Sequence, residues 1–93
     1  MALTFEWDDE KSKENIRKHG VSFDEAKTVF NDPLAMTIWD PEHSSQEDRH
    51  IDMGMSARRR ILIVWYTERG ANIRIIGARM ATRSQRRQYE EEQ

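Results

Sequence analysis

Arg60-Ile61-Leu62-Ile63-Val64-Trp65-Tyr66-Thr67 is the stretch on which the fold turns. Six consecutive apolar or aromatic residues between an arginine and a threonine are too few for a core helix. The β-branched and aromatic content suits a central strand covered on both faces. Glu68-Arg69-Gly70-Ala71 follows as a glycine-containing hairpin loop, and residues 72–78 read as the returning strand. On the other side, residues 49–55 alternate, with Ile51, Met53 and Met55 on one face and His50, Asp52 and Gly54 on the other. Three strands in series make an antiparallel meander. Residues 34–39 alternate well enough to add a fourth strand, and Asp40 to Gln46 forms a polar loop between them.

The N-terminal third reads as helical. Thr4-Phe5-Glu6-Trp7 is a short extended start, and Asp8 is an N-cap with Asp9 and Glu10 in the first turn, where the helix dipole favours anions. Lys18 and His19 in the last turn and Gly20 just beyond give the matching C-terminal signals. Ile16 is the one strong apolar residue between them, so this helix is mostly exposed and relies on caps and pairs such as Glu14–Lys18. Ser22-Phe23-Asp24-Glu25 has the pattern of a capping box, and Phe23, Ala26, Val29 and Phe30 recur at helical spacing until Asn31-Asp32-Pro33 ends the run. Residues 82–92 form a last, strongly charged helix. The order β-α-α-β-β-β-β-α is an α+β domain: a small antiparallel sheet with N-terminal helices and a C-terminal helix. Residues 1–93 are expected to form one domain, since 93 residues support a single modest core.

Composition narrows the function classes. The chain has no cysteine, which removes thiol catalysis, disulfide scaffolds and cysteine-based zinc sites. No apolar run approaches the ~20 residues that cross a bilayer. The first nine residues show no basic segment leading into an apolar one. The expectation is a soluble, cytoplasmic protein without membrane contact. The net charge of -2 hides a division. Residues 1–46 carry five basic and ten acidic side chains, whereas residues 58–87 carry nine arginines and one acid, Glu68. Arginine is the planar, permanently charged donor suited to phosphate. With a pI of 5.9, any phosphate-binding surface must be local.

The arginines also have geometry. Arg83, Arg86 and Arg87 share one face of the last helix, Arg79 ends the strand before it, and Arg74 points away from Ile73 and Ile75. A strand end meeting a helix start among guanidinium groups can hold phosphates. The competing reading is a set of ion pairs with the acidic N-terminal half or with Glu90-Glu91-Glu92. His19, beside Lys18, is either an acid–base group or a cap on free helix carbonyls. His43 and His50 lie among Asp40, Glu42, Glu47, Asp48 and Asp52, but their spacing matches no compact metal-ligand motif, so no metal or other cofactor is expected. Trp39, Trp65 and Tyr66 sit on strands and read as core.

Several segments together resemble the BrnT family. Phe5-Glu6-Trp7-Asp8, Lys13, Asn15, Lys18-His19-Gly20-Val21-Ser22-Phe23 and Phe30-Asn31-Asp32-Pro33 resemble its opening. Arg49, Gly54 and Tyr66-Thr67-Glu68-Arg69-Gly70 continue the likeness. Ile73-Arg74-Ile75-Ile76-Gly77-Ala78-Arg79-Met80-Ala81-Thr82, with Arg86 and Tyr89, resembles its closing signature. The family's closing segment usually has Ser where Gly77 stands and an acid where Gln85 stands.

The resemblance implies a RelE-like fold and the toxin of a bacterial type II toxin–antitoxin pair. It implies an endoribonuclease that arrests growth and is inhibited by a cognate BrnA-like antitoxin. Operator DNA would be bound only by the toxin–antitoxin complex, with the toxin as a homodimer within a heterotetramer. Such cleavage is metal-independent: the substrate's own 2′-hydroxyl attacks, and acid–base groups and guanidinium donors suffice. On this reading His19 moves the proton, Arg79 contacts the phosphorane with Lys18 nearby, and Arg49, Arg74, Arg83 and Arg86 hold RNA phosphates. Two alternatives stay open. One is a non-catalytic module that binds the antitoxin and takes part in operon autoregulation. The other is a protein that binds duplex DNA directly through its last helix.

Overall fold

The computed structural model describes residues 3–38 and 49–92. Its elements are β1 (Thr4–Glu6), α1 (Asp9–His19), α2 (Phe23–Ala26), a 3₁₀ turn (Lys27–Asn31), β2 (Met36–Ile38), β3 (Arg49–Met55), β4 (Ile61–Arg69), β5 (Asn72–Met80) and α3 (Arg83–Glu91). The strands form one five-stranded sheet in the order β1-β5-β4-β3-β2. The expected α+β architecture and the β2–β5 meander are present. Trp39 and the polar loop lie outside the described residues.

The sheet is mixed rather than antiparallel, because β1 runs parallel to β5, with Phe5 opposite Ile73. Hairpins force the other strands to reverse. β1 is joined to its neighbour by no hairpin, so nothing local dictates its direction. The second helix also differs from its expected form. It gives one α-turn and then tightens into the 3₁₀ segment. The capping box is only half made: Ser22 Oγ accepts from Glu25 N at 3.0 Å, while the Glu25 carboxylate turns instead to Arg60 and Ser56.

Two apolar clusters lie on opposite faces of the sheet. Val21, Phe23, Ala26 and Val29 pack on Leu62, Val64, Ile75 and Ala78. On the other face Tyr89 of α3 packs with Ile51, Met53, Ile61 and Ile63. β4 contributes to both, as its continuous apolar run requires.

α1 carries the expected caps: Asp8 Oδ1 accepts from Glu10 N at 2.9 Å and Lys11 N at 3.1 Å, and Gly20 adopts φ 69° while its N–H donates to Ile16 O. Its buried residue is polar. Asn15 donates to Ala78 O at 2.8 Å and accepts from Ala78 N at 3.2 Å. The side-chain amide thus continues the ladder at the β5 edge beyond the end of β1, and docks α1 there.

Asp32 fastens α3 to the rest. Its carboxylate accepts from Leu34 N, from Met55 N at 2.8 Å and from Tyr89 Oη at 2.6 Å. Burial pushes this carboxyl up, but the three donors outweigh burial and hold it below its ordinary value. Burial, with Asp32 adding to it, pushes the Tyr89 hydroxyl up to about 12. A side chain at Gly54 would stand 2.8 Å from Val29 Cγ1, so this glycine lets β3 approach the 3₁₀ turn.

Candidate functional site

Arg74 and Arg79 are five residues apart on one strand, so strict alternation would put them on opposite faces. The structure puts them on the same face. Tyr66 pairs with Ile75 but Trp65 pairs with Gly77, which leaves Ile76 as an extra residue on β5. This β-bulge changes the phase of the strand. Ile75 and Ala78 both enter the cluster under the N-terminal helices, while Arg74, Gly77 and Arg79 all face the α3 side.

Three rows of side chains cross that face. The first is Glu6, Arg74, Thr67 and Arg49; the second is Gly77, Trp65, Ile51 and Ile38; the third is Arg79, Ile63, Met53 and Met36. Residues of α3 pack at the third row, where Tyr89 meets Met53 and Ile63. Arg49, Trp65, Arg74, Gly77 and Arg79 are all only partly buried. Thr67 Oγ1, between Arg49 and Arg74 in register, is buried and has no hydrogen-bond partner.

Arg79 is held by neutral groups. Its Nη1 donates to Met80 O at 3.0 Å and to Gln85 Oε1 at 3.1 Å, and its guanidinium lies over the Trp65 ring, 5.3 Å from the centroid. The Gln85 oxygen also accepts from Thr82 N at 3.0 Å, while Thr82 Oγ1 accepts from Gln85 N, a complete capping box on α3. Gln85 therefore caps the helix and orients the arginine at once, and an amide leaves the guanidinium charge uncompensated. A carboxylate in this position would neutralise it. Arg74 has an acid partner, donating to Glu6 Oε2 at 2.8 Å. That bond lowers the Glu6 carboxyl, and Asn72 adds to the effect.

The other expected site residues fall in two groups. Arg83 and Arg86, with Arg87, are exposed on α3 and form no ion pair among the described residues. The ion-pair reading holds for Arg74; for the α3 arginines no acidic partner stands among the described residues. Lys18 and His19 end α1, both exposed. Lys18 pairs with Glu14 at 3.5 Å, and among the described residues no hydrogen bond or ion pair joins either side chain to Arg79. His19 stands one helical turn beyond Asn15, on the α1 face that holds Ala78, the residue before Arg79.

Sequence reasoning missed three features. The Thr82-x-x-Gln85 pattern was the signal for the second capping box, and hence for the partner of Arg79. The bulge has no local signature in the residues around Ile76. The third feature is a polar cluster on the opposite face. Tyr66 Oη donates to Asp52 Oδ1 at 3.1 Å, Thr37 Oγ1 donates to it at 3.0 Å, and His50 Nε2 lies 3.3 Å from Glu68. Burial raises the Asp52 carboxyl against the pull of Thr37, Tyr66 and His50, and burial also raises the Tyr66 hydroxyl. This cluster shares no side chain with the arginine face. His43 and its acidic neighbours lie outside the described residues, and among the described ones no group of three His, Asp or Glu is arranged to hold a metal.

The match to known proteins follows this geometry. Residues 7–85 fit the family model described as the ribonuclease toxin BrnT of type II toxin–antitoxin systems. The chain belongs to the BrnT family. A 1.1 Å crystal structure of the Brucella abortus ribonuclease toxin BrnT shares its fold, with a TM-score of 0.68 and 22% identity over 88% of this chain and 100% of that one. No curated protein matches the chain. Arg74, Trp65, Gly77 and Arg79, with Gln85 at its boundary, all lie inside the span that fits the BrnT model. Among the described residues, no helix is long and apolar enough to cross a membrane.

Proposed function

We propose that this BrnT toxin is a metal-independent endoribonuclease whose phosphate site is centred on Arg79. The observation that carries the reading is the neutral support of that guanidinium. Gln85, Met80 O and the Trp65 ring fix its direction without cancelling its charge. A preorganised cation at a partly buried position stabilises a developing phosphorane, and the Gln85 amide leaves its charge whole. Arg74 and Arg49 lie along the same face for the flanking phosphates, and Arg83 and Arg86 extend the positive surface over α3.

In the reaction the 2′-oxygen bonds to the adjacent phosphorus and the bond from phosphorus to the 5′-oxygen breaks. The products are a 2′,3′-cyclic phosphate and a 5′-hydroxyl. One proton leaves the 2′-hydroxyl and one reaches the departing 5′-oxygen. His19 is assigned to proton transfer and Lys18 to charge support beside it. That assignment comes from the resemblance: α1 docks at the Ala78 backbone, but Ala78 and Arg79 leave β5 on opposite faces. The protein acts on cytoplasmic RNA. A BrnA-like antitoxin silences it by covering the arginine face with an acidic segment, and the pair, with the toxin as a homodimer in a heterotetramer, binds the operator.

That the partners of Arg79 are Met80, Gln85 and Trp65, with no acid–base group among them, favours one rival, a non-catalytic module that serves antitoxin binding and autoregulation alone. RNA cleavage by the purified chain in EDTA, beside Arg79→Ala, decides between them. Cleavage that survives EDTA and disappears with the substitution supports the ribonuclease. A folded wild-type chain with no cleavage, on free RNA or on ribosomes, supports the rival.

A further inference from the structure

Trp65 is the one aromatic side chain in the rows of the arginine face, and its surroundings differ from those of the buried aromatics. As expected of a core residue, its ring packs against the Ile51, Met53 and Ile63 cluster, yet it is only partly buried and lies in the row between Arg79 on one side and Arg49 and Arg74 on the other. The bulge at Ile76 sets Gly77 directly across from it. Gly77 has no need of a positive φ, and a Cβ built there would meet nothing within 4 Å. Neither backbone conformation nor packing asks for glycine. What glycine does is leave open space beside an indole. In a sheet, an aromatic side chain is ordinarily covered by its cross-strand neighbour.

We propose that Trp65 is the floor of a base-binding subsite, entered over Gly77, on which an unpaired RNA base stacks while Arg79 and its neighbours hold the phosphates. The inference rests on the ribonuclease reading and deepens it. An aromatic ring interleaved with guanidinium groups is the arrangement that binds single strands, since every base has a π-face. The Arg79 guanidinium lies over the indole, 5.3 Å from its centroid, so the group that contacts phosphate also covers part of the ring, and a base enters beside it from the Gly77 side. The subsite selects single-stranded RNA, because a base inside a duplex cannot reach the floor. Stacking alone gives little preference among bases.

The test uses the full chain and a mixed-sequence 2′-O-methyl decamer, which lacks the attacking hydroxyl and cannot be cleaved, beside a decamer of the same backbone without bases. Binding is read by fluorescence anisotropy. The wild type is expected to bind the base-bearing decamer about tenfold more tightly than the abasic one. Trp65→Leu keeps an apolar side chain but removes the flat ring. It should abolish that preference, read as the ratio of the two affinities, whatever the loss of the ring beneath Arg79 does to both together. Gly77→Leu fills the open space and should do the same. It decides the matter if the Trp65 variant fails to fold, since position 77 has room. Arg79→Ala should weaken both decamers together. A wild type without preference for bases, or a preference that persists in a folded Trp65→Leu or Gly77→Leu, overturns the subsite while leaving the ribonuclease reading intact. A wild type that binds neither decamer overturns the subsite, and overturns the ribonuclease reading too when RNA on ribosomes is not cut either.

Discussion

Two arginines in this chain have opposite surroundings. Arg60 donates through Nε to the Glu25 carboxylate at 2.9 Å and through Nη2 to the same carboxylate and to Gly20 O. Arg58 and Ser56 complete that carboxylate's shell, and the Glu25 side chain is 4% exposed. Arg79 meets an amide, a carbonyl and an indole. Both are well oriented, but only Arg60 is neutralised. The first arrangement joins the β3–β4 turn to the start of α2; the second leaves a fixed positive charge facing outward. A count of arginines cannot separate scaffold from site. The charge of the partner does.

The largest expected effect is on chemistry. Arg79→Ala should lower the cleavage rate about 100-fold or more, with a melting curve close to wild type, as measured by single-turnover cleavage and thermal unfolding. Comparable cleavage by a folded variant would erase the distinction between the two arginines.

Glu25→Ala should have the reverse profile. It leaves Arg60 partly buried without its carboxylate, and the expected loss is about 3 kcal/mol of stability in urea unfolding. The pH dependence follows from the sign of the shift. Arg60, above all, with Ser56 and Arg58, holds the Glu25 carboxyl below its ordinary value of 4.5. Its contribution is therefore complete above that value and lost as pH falls through the lower, folded one. Unfolding midpoints measured from pH 7 down to 3 should fall steeply for the wild type and less steeply for Glu25→Ala.

A smaller effect is expected where the comparison can be inverted. Gln85→Glu gives Arg79 the kind of partner that Arg60 has. It retains the N3 position of the capping box, so α3 should be as stable as before or slightly more so. RNA binding should weaken several-fold, and its dependence on log salt should become shallower by about one phosphate's worth. Anisotropy titrations across a salt series measure both.

The smallest effect is expected at Gly77. Gly77→Ser adds a small side chain, and a Cβ there meets nothing within 4 Å. Its melting temperature should equal that of the wild type within error.

The features legible in the sequence are those with local causes. The caps of α1, the apolar run of β4 and the hairpin at Gly70 each follow from a few adjacent residues, and each is present. The parallel pairing of β1 with β5 joins residues nearly 70 positions apart and has no local mark. The neighbourhood of the arginine cluster was legible, because composition singles out residues 58–87, although that window also holds Arg58 and Arg60 of the Glu25 shell and omits Arg49. The cluster's arrangement was not, because one bulged residue decides which face Arg79 joins. Gln85 shows how chemistry and structure combine in one side chain. The same oxygen satisfies the Thr82 N–H and Arg79, so a helix-capping pattern and a site residue were one signal.

The central claim is that an uncompensated, oriented Arg79 serves attack by the RNA's own 2′-hydroxyl. The most direct measurement is the fate of an RNA cut by the wild-type chain in EDTA, beside the same strand carrying 2′-deoxy sugar at the cut position and beside Arg79→Ala. The expected result is a 2′,3′-cyclic phosphate end, no cut at the deoxy position, and loss of the product with the variant. A cut that proceeds through the deoxy position, or that survives in folded Arg79→Ala, would contradict it.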